Sequence, residues 1–376
     1  MLPALQSLSL NKLNPRQLTQ STKFINLTDR VLHPERLIQA GKTPFNIISE
    51  DAQEQGLIKL RHYPALAGYP TRHRVPLVIV PPLAINMLIY DLFENRSLVR
   101  FLLEQGFSVY MLDWGTPTRA HTHYNFEAYI LQFMPKLLAE VRQHSGQQQL
   151  SLHSWSMSGV FTLLYAAATQ DPDIKNLIVL GSPVDSYKSG QMGAQVRQLS
   201  RAVNWLEKHT NLHPRALPNR LVHTVGWMNA LSFMLLDLNG TMKGHLNMLR
   251  QLDNRTAVES HATYGAFLNH MVDYPGGINR DMMLKVWMDN SLSTGKFKIG
   301  GKVALLKDIH AAMLIGAGRS DTMVTPAAVR PLASLVGSTD VTFSEIPGGH
   351  VSMIGSEAAA QEFWPELAAW LAARSA

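Results

Sequence analysis

The feature that most restricts how this chain can fold is a regular exchange between two periodicities. Short β-branched runs recur: LIKLRHY from Leu57, VPLVIV from Val75, FSVYMLDW from Phe107, LSLHSW from Leu150, NLIVLGS from Asn176, AAMLIGAG from Ala311 and VTFSEIP from Val341. Between them, NRSLVRFLLEQG, NFEAYILQFMPKLLAEVRQHS and the C-terminal EAAAQEFWPELAAWLAARS space their apolar residues three and four apart. The first pattern fits strands and the second fits amphipathic helices. Their alternation predicts an α/β fold, a mostly parallel sheet flanked by helices. With 376 residues, 46% of them hydrophobic, the chain can bury such a core.

The alternation stops between Pro183 and about Val303, where the pattern is helical and rich in methionine, with Trp205, Trp227 and Trp287 interleaved. A helical insertion between two core strands is a common way to cap an active site, and methionine supplies adaptable apolar lining. The same spacing also suits plain core packing. The expected organisation is a core from 51–182 and 304–376, a helical cap over 183–303, and a polar, irregular segment over 1–50 to which no role is assigned.

Several function classes are excluded or disfavoured. The chain has no cysteine, which removes disulfides, thiolate metal sites and a cysteine nucleophile. The net charge of +6 is not gathered into a basic run, so anionic ligands are favoured over nucleic acid. VPLVIVPPLAINMLIY is broken by prolines and is too short for a membrane helix, and the N-terminus lacks the pattern of a signal peptide. No transmembrane segment and a cytoplasmic location are therefore expected. His121 and His123 lack a third ligand at familiar spacing and read as loop histidines. His153 reads as a buried hydrogen-bonding group. No glycine-rich phosphate loop of standard pattern is present.

The chemistry centres on SLHSWSMSGVFTLL, Ser151 to Leu164. A nucleophile elbow needs a strand, a sharp turn bearing the nucleophile, and a helix packed close behind, with small flanking residues that allow the approach. Ser156 takes the turn, Ser154 and Ser158 are small stand-ins for glycine, and Gly159 follows. Met157 would open the helix and offer its backbone N–H to an oxyanion. A strand leading into a serine-capped helix explains the same letters. The order of later residues weighs against that plain reading, because an α/β-hydrolase fold places acid and then histidine after later strands. AAMLIGAGRSD ends on Asp321, and VTFSEIPGGH ends on His350. Asp321 would orient the imidazole, with Asp185 as the alternative acid. The second oxyanion donor is expected from Leu83 or Ala84, in the loop after PLVIV.

These stretches resemble the polyhydroxyalkanoate synthases and their α/β-hydrolase relatives. NRSLVRFLLEQGFSVYMLDWG is similar to the family's stretch ending in Asp-Trp-Gly, here Asp113, Trp114 and Gly115. The segment from YPGGINRD to GAGRSD is similar to the family's exit from the cap and return to the sheet, and GGHVSMIGS to its histidine loop. The resemblance implies Asp321 and His350 as catalytic residues. Two departures stand out. Polymerising members carry Gly-x-Cys-x-Gly-Gly, whereas this chain has Ser154-Trp155-Ser156-Met157-Ser158-Gly159; and the family's aspartate is commonly followed by histidine, here Thr322.

Serine needs its histidine base for each attack, while cysteine can rest as a thiolate. Passing an acyl group from one oxyester to another alcohol is nearly neutral, whereas hydrolysis is downhill, so the exchange leans toward hydrolysis. The expectation is a serine esterase or thioesterase acting on hydroxyacyl esters or hydroxyacyl-CoA through an acyl-enzyme. One alternative is a polymerising acyltransferase. A second is an inactive relative that binds polyester granules or a synthase partner. The mechanism requires no metal or organic cofactor, and the reading leaves room for a homodimer.

Overall fold

A computed structural model describes residues 21–50, 56–83, 87–236 and 246–375. Each β-branched run supplies a strand of one eight-stranded sheet. The strands are β1 (Asn46–Glu50), β2 (Lys59–Tyr63), β3 (Leu77–Val80), β4 (Val109–Asp113), β5 (Leu150–Trp155), β6 (Ile174–Leu180), β7 (Ala312–Gly318) and β8 (Val341–Ile346). Their spatial order is β1-β2-β4-β3-β5-β6-β7-β8. β1 and β2 pair antiparallel, as do β2 and β4, and every later pairing is parallel.

The helices that matter below are α1 (Thr22–Leu32), α2 (Leu98–Glu104), α3 (Met134–Ser145), α4 (Met157–Thr169), α5 (Gly190–His209), α6 (Gly226–Leu236), α7 (Arg255–Asn269) and α8 (Glu357–Ala372). Successive strand residues face opposite ways, and the two cores follow from this. Val78, Val80, Tyr110 and Leu112 pack on one face with α3 and α4, while Leu77, Ile79, Val109 and Met111 pack on the other with α2 and α8. β3 to β7 lie between these cores, which is why their sequences read as continuous apolar runs rather than alternating ones.

Two elements differ from the sequence reading. Residues 21–50 are not irregular throughout: they hold α1 and the edge strand β1, whose residues are largely exposed and so carry little apolar signal. This stretch also ties down α7. The Asn26 amide donates to the Leu252 carbonyl (2.8 Å), Arg255 reaches Asp29 (2.6 Å), and Leu37 packs with Val258 and Ala262. The segment between β6 and β7 is helical over α5, α6 and α7, but it closes with a two-stranded ladder, Lys296–Ile299 against Lys302–Leu305. Among the described residues no helix is long and apolar enough to cross a membrane.

Candidate active site

β5 ends at Trp155 and α4 begins at Met157, leaving Ser156 alone to turn the chain. Its backbone sits at φ 59° and ψ −125°, a conformation that costs a non-glycine residue about 1–3 kcal/mol. The end of β6 holds it there. The Ser156 N–H donates to the Leu180 carbonyl (2.8 Å), and Ser182 Oγ donates to the Ser156 carbonyl (2.8 Å). The flanking serines do more than stay small. Ser154 Oγ donates to the Ile178 carbonyl (2.8 Å), and Ser158 Oγ accepts from the Trp155 N–H (2.9 Å) and donates to the Trp155 carbonyl (2.8 Å). Close approach of helix to strand rests on Gly159: a Cβ there would lie 1.7 Å from Ser182 Oγ and 3.0 Å from Val179.

The structure brings Ser156, Asp321 and His350 together. Ser156 Oγ lies 2.8 Å from His350 Nε2, and His350 Nδ1 lies 2.7 Å from Asp321 Oδ2. Asp321 follows β7, and its other oxygen accepts the N–H groups of Met323 and Val324, both at 2.9 Å. His350 follows β8. Gly348 takes φ 99°, open essentially to glycine alone, and this turns the loop so that the ring points back toward β5. Asp321 and His350 are both buried, and Ser156 is half-buried. Such an arrangement fixes the imidazole with one nitrogen facing the hydroxyl and the other facing the carboxylate, the geometry that lets a serine hydroxyl act as a nucleophile.

The alternative acid is occupied elsewhere. Asp185 accepts from Asn290 Nδ2 (2.8 Å) and pairs with Lys188 (3.1 Å). Leu83 is brought to the site: it lines the same cavity as Ser156 and Met157. Ala84 lies outside the described residues. The loop carrying Leu83 is braced by the Asp-Trp-Gly stretch, since Trp114 Nε1 donates to the Pro81 carbonyl (2.7 Å) and Asp113 pairs with Arg61 (2.6 Å). Met157 opens α4, where the first-turn N–H groups have no intrahelical acceptor. Thr322 is exposed.

Sequence reasoning missed two residues. Trp155, fully buried, donates its indole N–H to the His350 carbonyl (3.1 Å) and so anchors the histidine loop to the elbow. Its place next to Ser156 was the available signal. Tyr274 donates its hydroxyl to the Met157 sulfur from across the cavity, a contact between residues far apart in sequence. His153 also departs from expectation. It is fully buried beside the Tyr90 ring, neither ring nitrogen has a hydrogen-bond partner among the described residues, and burial pushes its pKa down to about 4.

Above Ser156 lies a cavity of about 300 Å³, walled by Pro183, Met192, Tyr274, Met282 and Trp287 among others. It is mostly apolar, as small-molecule sites are, with Asn229 and Ser232 as polar points on its wall. No group of three metal-ligating side chains occurs among the described residues.

Comparison with known proteins agrees with this fold. Residues 75–356 match the family model described as alpha/beta hydrolase fold. The chain is similar to the poly(3-hydroxyalkanoate) polymerase subunit PhaC of Haloferax mediterranei, at 26% identity over 100% of this chain and 73% of that one. It is also similar to the subunit of the same name from Allochromatium vinosum, at 28% identity over 96% of this chain and 97% of that one. Among solved structures, a soluble variant of monoglyceride lipase from Saccharomyces cerevisiae superposes with a TM-score of 0.57 at 15% identity, covering 90% of this chain and 97% of that one. That likeness concerns the fold.

Proposed function

This chain belongs to the alpha/beta hydrolase fold family, and from that premise we propose that it is a serine-dependent hydrolase of hydroxyacyl esters or thioesters working through an acyl-enzyme. The observation that carries the reading is the continuous contact from Asp321 through His350 to Ser156, at 2.7 and 2.8 Å, beneath an apolar cavity.

In this mechanism His350 Nε2 takes the proton of Ser156 Oγ as the oxygen attacks the acyl carbonyl. The carbonyl electron pair moves onto oxygen, where the N–H of Met157 and a donor from the Leu83 loop stabilise it. Collapse of the intermediate expels a thiolate or alkoxide, which leaves with the proton held by His350. Water then repeats the sequence on the acyl-enzyme, with His350 first as base and then as acid, releasing the free acid and restoring Ser156. Asp321 keeps the imidazole in the tautomer that accepts at Nε2 and stabilises the imidazolium.

A second reading, polymerisation of hydroxyacyl-CoA with serine in place of cysteine, draws support from similarity to PhaC subunits over nearly all of this chain. Product analysis separates the two: incubation with 3-hydroxybutyryl-CoA gives free 3-hydroxybutyrate if hydrolysis is the activity, and an elongating ester if transfer is. Ser156→Ala is expected to lower p-nitrophenyl butyrate turnover by about 10⁴-fold or more. Equal turnover by the two proteins would rule out both readings.

A further inference from the structure

The cavity above Ser156 is not isolated. A second space of about 350 Å³, within the ordinary size of a ligand site, shares lining residues with it. Leu199, Val203, Leu217, Val222, Leu284 and Met288 line it, and its surface is almost wholly apolar. Thr224, Asn279 and Met283 border both spaces and form the wall between them.

The members of that wall are held differently. Thr224 is fixed by a backbone pair with Tyr274, in which the Tyr274 N–H donates to the Thr224 carbonyl at 2.8 Å. Asn279 donates its side-chain amide to the Val222 carbonyl at 2.7 Å. Met283 has no polar group to anchor it, is 42% exposed, and carries an unbranched side chain with several accessible rotamers. The two arginines at the second space already have partners. Arg215 pairs with Glu207 and Asp289, both at 2.8 Å, and Arg280 donates to the Arg215 carbonyl at 2.7 Å. Arg215 therefore calls for no further anion, Arg280 is held on a neutral carbonyl, and what the almost wholly apolar surface of the space offers a ligand is hydrocarbon contact.

We propose that this second space is an acyl-chain chamber: the distal alkyl part of a medium-length acyl group, whose carbonyl sits at Ser156, passes Met283 and lies between α5 and the residues around Leu217. The inference rests on the acyl-enzyme reading and adds the substrate class, medium-chain rather than short-chain acyl groups. Each methylene buried there favours the longer chain by about fourfold.

The test compares kcat/KM for p-nitrophenyl decanoate and p-nitrophenyl butyrate in the wild type, Leu217→Trp and Leu199→Trp. Both positions are close to half exposed, at 46% and 49%, so an indole can enter the chamber from its outer side without rebuilding the core. The wild type is expected to prefer decanoate, and each variant to lower the decanoate-to-butyrate ratio by about tenfold or more. A wild-type preference for butyrate, or a ratio unchanged in both variants, overturns the chamber while leaving Ser156-dependent hydrolysis standing. Binding of the fluorescent fatty acid dansylaminoundecanoate to Ser156→Ala protein gives a readout free of catalysis. Displacement by decanoate but not butyrate, weakened by adding Leu217→Trp, supports the chamber even where no ester is turned over. Absence of probe binding counts against it.

Discussion

Around Ser156 the polar groups are tied to one another, whereas the helices between β6 and β7 leave large apolar side chains in water. At the elbow, Ser154, Ser158 and Ser182 each direct a hydroxyl onto backbone, and Asp321 and His350 are buried behind them. In the intervening helices Trp205, Leu221 and Trp227 are 59%, 65% and 68% exposed. On the proposed function, the contrast separates two tasks. Nucleophilic catalysis gains from groups fixed in advance, because nothing then has to reorganise as charge develops. Accommodating an acyl chain gains from adaptable apolar surface, which Met192, Met282 and Met283 provide.

If that division holds, substitutions should have steeply graded effects. After loss of the Ser156 hydroxyl itself, Asp321→Asn should be the most damaging to turnover. It keeps an oxygen for the Met323 and Val324 N–H groups but presents His350 with the wrong partner, and kcat should fall by about 10⁴-fold with little change in melting temperature. A loss below about tenfold would mean that the carboxylate serves packing rather than chemistry.

Next is acid stability, through His153. Its pKa is about 4 in the folded protein against an ordinary 6.5, so between these values the unfolded chain binds the proton and the native one does not. The neutral ring's contribution is complete above pH 6.5 and is lost as pH falls toward 4, an effect of about 3 kcal/mol. Urea unfolding of the wild type should weaken over that window more steeply than that of His153→Phe; parallel slopes would show that the histidine is not the group responsible.

Gly159→Ala should cost about 1–3 kcal/mol, because the new methyl group enters the space of Ser182 Oγ where helix meets strand. It should also lower kcat, since Ser182 holds the carbonyl of Ser156. At the opposite extreme, Leu221→Ser and Trp227→Ser should each change stability by no more than about 0.5 kcal/mol. A large loss from either would place these residues in a packed interior and erase the contrast.

The sequence disclosed these regions unevenly. The sheet was legible because β3 to β7 are apolar runs with turn residues at their ends, and the meeting of Ser156, Asp321 and His350 was legible from their order after successive strands. β1 was not, since an edge strand with mostly exposed residues has no strong pattern. The ladder at 296–305 was hidden in a segment whose overall period is helical. Asp185 had the right position in sequence, but its carboxylate is taken by Asn290 and Lys188, partners that only the folded chain brings near. The wall shared by the two cavities joins Thr224 to Asn279 and Met283 across more than fifty residues, and no local pattern records such a contact.

The most direct test of the central claim, a serine made nucleophilic by its place in a prebuilt triad, is intact-mass spectrometry after exposure to a fluorophosphonate. The wild type should gain one adduct that maps to Ser156, and Ser156→Ala should gain none. An unlabelled wild type, or an adduct that persists in Ser156→Ala, would contradict it.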